Sequence, residues 1–390
     1  MMSPAATEVQ DEYLTTFGEP ITKTLDLSTW RQAGRLGDLY GQLQKEVAVG
    51  QSLELAARKA IREKIFPRLS KQPNAPLGAG IYKAKESEIE AIQRGLLFTG
   101  AVEACDGIAA SHESLALAIT QIGVCLVSYH ADRGSWVHRL YQRDLRESLD
   151  DPAKLAADLI NRRHGRDDSA RSFGIDSGRL ARRSVLAYAE RAALVQFSDA
   201  RWRMGRGSPT PVELLAGSGS TELILSSIDL LKRLILDHQT VLFVPSSIDQ
   251  RGISTIAGAL KPLEYGIVIA MTDRLSSMIE SHHYSPDIAR SLRKFVNEIG
   301  PKMVIGCYRA SEIGPARLFY AHVDHAHEAA QIAMADSRLQ AHRGYPVLLD
   351  LAAEICRTSF GQGDFIATLQ DAYTTAGQPY EFHQEFSPGR

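Results

Sequence analysis

The chain has 390 residues, 44% of them apolar and 23% charged, with a formal net charge of -2. That length admits one large domain or two to three smaller ones, and the composition is that of an ordinary globular protein. A charge so close to neutral excludes a protein that is basic all over, so any nucleic-acid contact has to come from a local patch. The cysteines Cys105, Cys125, Cys307 and Cys356 form no C-x-x-C pair, which excludes a zinc ribbon and gives no disulfide framework. No basic segment leads into an apolar one at the N-terminus, and no run reaches about 18 apolar residues. A cytoplasmic protein with no membrane span is therefore expected.

The first hundred residues read as helical. Trp30, Leu36, Leu39, Tyr40 and Leu43 recur at three- and four-residue spacing, and Leu53–Phe66 continues the pattern. Such a stripe is expected to pack against a core. Prolines and glycines between Lys71 and Gly80 break the chain, and Ser87–Leu97 follows as a short helix.

Two strands come next, joined by a short polar link. The first ends at Cys105-Asp106-Gly107, and the second is the Ile-, Val- and Leu-rich run Leu115–Tyr129. A carboxylate at a buried strand end is costly to desolvate without a partner. A divalent metal would be one partner, and glycine lets a phosphate backbone come close. Asp-Gly is also a common turn pair, so Asp106 either centres a metal-dependent site or opens a turn. Trp136–Tyr141 reads as a third, antiparallel strand after the turn Asp132-Arg133-Gly134-Ser135.

Asp150-Asp151-Pro152 is a helix start, Asn161–Gly178 reads as a loop, and Arg179–Ser198 as a long helix with Glu190 on or beside its apolar side. Arginines crowd this stretch: Arg162, Arg163, Arg182, Arg183, Arg191, Arg201, Arg203 and Arg206 are among them. Arginine forks match phosphate oxygens; they also serve solvated helix faces with local ion pairs. Val212–Gly217 is expected to be a short buried strand, Ser227–Leu236 part of a helix, and Thr240–Ser246 and Gly266–Thr272 buried strands. The Gly217-Ser218-Gly219 turn lacks the lysine of a P-loop, so no NTP site is expected. Alternating strands and helices place the chain in the α/β class. His325 and His327 fall on different helix faces, which argues against a metal cluster with His322, and Asp324 is expected to cap the helix that follows. Arg317–Val323 reads as a strand, His325–Gln340 as a helix, and Arg343-Gly344-Tyr345-Pro346 opens a last apolar helix, Val347–Thr358.

This order of features resembles the NurA family of nucleases. The Gly344-Tyr345-Pro346 motif opening a helix is similar to the family's C-terminal motif. Asp106-Gly107 resembles its first Asp-Gly-Ser strand, Glu190 its helical glutamate, and Leu215-Ala216-Gly217-Ser218 its second Asp-Gly-Ser strand end. The similarity spans about residues 90–373. It implies an RNase H-like mixed sheet flanked by helices, carrying an N-terminal helical arm. The corresponding division is an arm over 1–98, a nuclease core over 99–376 with an Arg-rich helical insertion at about 150–208, and a tail over 377–390.

The resemblance further implies a homodimer, DNA as substrate, Mn2+ or Mg2+ as cofactor, and a HerA-type hexameric ATPase as partner, in DNA end processing or phage defence. Asp106, Glu190 and Tyr345 would be catalytic, with Asp106 and Glu190 on the metal and Tyr345 positioning a phosphate or the attacking water. Arg162, Arg163, Arg182, Arg183, Arg201 and Arg203 would bind DNA. Two departures stand out. Ala216 and Ala353 take the places of an acid and a histidine, while two-metal hydrolysis needs several carboxylates. Glu213, Asp350 and Glu354 are poorly spaced to replace them. The sequence thus supports two functions: a metal-dependent DNA nuclease, or a weakened or inactive dimer serving as a DNA-threading adaptor or regulator of the ATPase.

Overall fold

The structure is a computed structural model that describes residues 13–30, 36–114, 117–130, 134–148, 153, 174–216, 220–247, 251–282 and 284–380. The helix start at Asp150-Asp151-Pro152, Arg162 and Arg163, and the Gly217-Ser218-Gly219 turn lie outside them. The chain forms two units, Met1–Ala60 and Ile61–Arg390.

The first unit holds α1 (Ile21–Leu25) and most of α2 (Leu36–Lys64), a helix of 29 residues. Contrary to expectation, its apolar stripe is not buried: Trp30, Tyr40, Leu43, Val47 and Leu53 are exposed. Among its described residues the unit sets only short helices beside α2, too little to cover a long apolar face.

The second unit is built on one mixed sheet of nine strands, in the order β1-β7-β8-β9-β6-β5-β2-β3-β4. The strands are β1 (Gly80–Lys83), β2 (Val102–Glu113), β3 (Leu117–His130), β4 (Gly134–Ser148), β5 (Trp202–Arg206), β6 (Val241–Val244), β7 (Glu264–Ala270), β8 (Met303–Tyr308) and β9 (Arg317–His322). Strand β1 lies at the sheet edge, so residues 61–98 belong with the sheet unit. The main helices are α3 (Glu86–Ile92), α4 (Gly174–Gln196), α5 (Val212–Ala216), α6 (Thr221–Lys232), α7 (Arg251–Gly258), α8 (Thr272–Glu280), α9 (Pro286–Ile299), α10 (Ala326–Ser337), α11 (Val347–Phe360) and α12 (Gln362–Thr375).

Strand alternation divides the core in two. Cys105, Val124 and Leu126 face α4, α6 and α9 through Ala193, Leu231 and Phe295. Ala104, Cys125, Val127, Trp202 and Met204 face α10 and α11 through Ala330, Ala333, Leu348 and Phe360. Strand β3 is buried on both faces, which is why its central residues are apolar without alternation.

Several local expectations need correction. Asp106-Gly107 neither ends a strand nor makes a turn, because β2 continues to Glu113, paired with β3 throughout. Helix α4 begins at Gly174, inside the stretch expected to be loop. The VELLA segment is helix α5, not a strand, so the match of Ala216 to a second strand end is lost. Asp324 does not cap the helix after it. His322 accepts from the Asp324 N–H at the start of a short 3-10 turn, and α10 follows from Ala326.

Arg62, in the last turn of α2, ties down the edge of the sheet. Its Nη1 and Nη2 donate to Glu264 Oε2 and Oε1 of β7 at 2.6 and 2.9 Å. The pair is bidentate but partly solvated, so Arg62→Ala is expected to lower the unfolding free energy by about 1 kcal/mol in urea titrations. An unchanged midpoint and slope would exclude this role.

Candidate functional site

Asp106 lies in the middle of β2, with Tyr345 on the same side of the sheet and Glu190 on the other. Parallel pairing sets Cys105 of β2 opposite Gly205 of β5, so Asp106 and Arg206 follow as neighbours on adjacent strands. By alternation both project toward α11, on the side of Ala104 and Met204. Arg206 Nε lies 3.2 Å from Asp106 Oδ2. The same guanidinium donates from Nη2 to the Leu349 carbonyl at 3.3 Å and lies 5.7 Å from the centre of the Tyr345 ring. Arg317 flanks that ring too, at 5.6 Å.

Tyr345 is buried, and its hydroxyl donates to the Val244 carbonyl at 3.2 Å. The side chain expected to position a phosphate or water therefore spends its hydroxyl inside the protein and offers its ring to two arginines. Its placement follows from the turn before α11. There, buried Asp336 of α10 accepts the Leu348 N–H at 2.9 Å, satisfying one of the free donors at the helix start.

Glu190 reaches β2 from the other side. A Cβ on Gly107 would lie 3.0 Å from Glu190 Cγ and Oε1 and 2.7 Å from Leu186 Cδ1, so only glycine lets α4 approach this closely. Cys105 Sγ donates to the Glu190 carbonyl at 3.4 Å. The Glu190 carboxylate pairs with its neighbour Arg191. Arg191 also donates to the Ser208 carbonyl at 2.6 Å and lies over Phe243, clamping α4 to the end of β5. Burial pushes the Glu190 carboxyl up to about 7, with the Asp106 charge adding to the rise and Arg191 opposing it. Burial likewise raises Asp106, against the pull of Arg206.

A cavity of ≈ 470 Å³ opens beside this pair. Arg206, Arg343, Arg357, Asp350, Ala353 and Glu354 line it. Arg343 pairs with Asp350 at 2.8 Å, and Arg357 with Glu354. Arg357 lies near enough to lower the Asp106 pKa.

The arginines expected to bind DNA separate into distinct classes. Arg201 is exposed and pairs with Glu328 at 3.2 Å, and Arg183 is exposed on α4. Arg182 lies on α4, with a side chain outside the description. Arg203 is buried, with Nη2 donating to the Ser198 carbonyl at 2.8 Å, so it is a structural tie and not a surface contact. Arg206 and Arg191 stood out in the sequence only as members of the arginine-rich stretch. The cue that could have singled out Arg206 is Arg206-Gly207-Ser208, a Gly-Ser pair following a strand.

The divalent ion implied by the family resemblance does not fit these donors. Asp106 is ion-paired with Arg206, and Glu190, approaching from the opposite face, with Arg191. Among the described residues no group of three His, Cys, Asp or Glu side chains could hold a metal. A hard divalent ion takes six or more oxygen ligands, typically including unpaired carboxylates.

No family model matches the chain, and no curated protein does. Solved structures similar to it are NurA nucleases. The NurA nuclease from Sulfolobus solfataricus is 12% identical, with a TM-score of 0.45, covering 90% of this chain and 100% of its own. A NurA structure with manganese is 8% identical at a TM-score of 0.40, covering 85% of this chain and 98% of its own. One bound to dAMP and manganese is 9% identical at 0.35, covering 85% and 97%. Among the described residues no helix is long and apolar enough to cross a membrane.

Proposed function

We propose that this chain is a NurA-like DNA-handling protein that grips phosphate groups with arginine and has weak or absent phosphodiester cleavage. It acts as a cytoplasmic homodimer, a DNA-threading adaptor or regulator for a HerA-type hexameric ATPase in end processing or defence. The observation that carries this reading is the Asp106–Arg206 ion pair, set beside a cavity lined by Arg343 and Arg357. A site built to hold two cations would leave its carboxylates free; this one already holds guanidinium groups, whose forked donors suit phosphate. The order Asp106-Gly107, Glu190, Gly344-Tyr345-Pro346 supports the family reading. So does the strand order β4-β3-β2-β5-β6, in which only β3 is reversed, as an RNase H-like core requires.

In this reading Arg206, Arg343 and Arg357 contact the backbone at the cavity, and Tyr345 is a positioning residue for Arg206 and Arg317. Arg183 and Arg201, together with Arg162, Arg163 and Arg182, supply further backbone contacts. The test is binding of labelled single-stranded and linear duplex DNA across a salt series, with Mn2+ and with and without a hexameric translocase. The unmodified protein is expected to bind DNA without cutting it, and Arg343→Ala to reduce the slope of log K against log salt by about 1. Manganese-dependent cleavage abolished by Asp106→Ala would replace this reading with a nuclease centred on Asp106 and Glu190.

A further inference from the structure

We infer that Arg206 is a built-in cation occupying the place of a divalent ion beside Asp106, and that its guanidinium keeps such an ion off this carboxylate. Arg206 reaches Asp106 from the adjacent parallel strand, one residue beyond the paired Cys105 and Gly205, so the guanidinium is delivered by the end of a strand and not by a loop. The side chain is held at two further points: the Leu349 carbonyl and the face of Tyr345. A side chain restrained in this way loses little entropy by staying on Asp106. A free ion would have to displace a fixed charge as well as shed water, or else sit against that guanidinium on one buried carboxylate at a Coulomb cost.

Removing the guanidinium changes the balance of charge. Arg206→Asp places a second carboxylate on the adjacent strand, directly beside Asp106, which is the minimum for a hard cation to gain over water. Arg206→Gln removes the competing charge and keeps an oxygen. Neither the inference nor its readout requires DNA, so it can fail while the adaptor reading stands, and the reverse.

The experiment is Mn2+ binding by the full chain, followed by loss of the free-ion electron paramagnetic resonance signal, with circular dichroism to confirm the fold. The unmodified protein is expected to leave the signal unchanged. Arg206→Asp is expected to bind one Mn2+ per chain at least tenfold more tightly than the unmodified protein, and Arg206→Gln to show a smaller gain. Asp106→Asn in the Arg206→Asp background should abolish the gain. Tight Mn2+ binding by the unmodified protein that is lost in Asp106→Asn would overturn the inference. So would folded Arg206→Asp and Arg206→Gln proteins with no gain. Loss of fold in both variants, not rescued by Mn2+, would overturn it too, because Arg206 would then be a structural tie.

Discussion

Gly205→Ala is expected to lower the unfolding free energy by about 3 kcal/mol, the upper end for overpacking a rigid core. An added Cβ would lie 2.3 Å from Phe243 Cε1 and 2.7 Å from Cδ1. Phe243 is buried on β6, next to β5, and cannot swing into solvent. Arg191 lies 5.5 Å above its ring, so a displaced ring also disturbs the clamp that holds Glu190 and Ser208. The clash is with the ring and not with backbone, so Phe243→Leu should relieve it. The double variant is expected to be at least 1 kcal/mol more stable than the sum of the two single losses, read from chemical denaturation. Strict additivity would show that the glycine serves another purpose.

The second large effect is in pH dependence. Burial pushes the Asp336 carboxyl up to about 7, opposed by the Leu348 N–H and by Tyr129. The folded protein therefore holds this proton more tightly than the unfolded chain does. The associated stability is fully present below the ordinary carboxylate pKa near 4 and is lost as pH rises through 7. Its size is on the order of 4 kcal/mol across that window. Glu190 titrates in the same direction, so the difference between the unmodified protein and Asp336→Asn isolates Asp336. The variant is expected to lose much of the fall in stability between pH 4 and 7 and to keep the cap on α11, since the amide oxygen can still accept from Leu348. Parallel pH profiles for the two proteins would mean that the carboxylate is ionised in the folded state.

Features set by short-range pattern could be read directly from the chain. The unbroken apolar run of β3 and the Arg343-Gly344-Tyr345-Pro346 entry to α11 both carry local signals of period or capping. Short apolar runs do not. VELLA is equally apolar as a strand or a helix, and packing against α4 and α6 decided for the helix. Asp106, Glu190 and Tyr345 could be singled out by residue type and order. Their partners could not. Arg206 comes beside Asp106 only because β5 pairs in parallel with β2, after the intervening strands and helix α4 have returned the chain. The same pairing turned Arg203 inward and Arg206 toward Asp106, although both are arginines on one short strand. Side-chain period on a strand is two, so register assigns each arginine to structure or to the site, and register is fixed by contacts between distant segments. The sequence by itself determined the α/β class and offered Asp106 and Glu190 as candidate carboxylates. Only the tertiary structure decided that each carboxylate already has a cation.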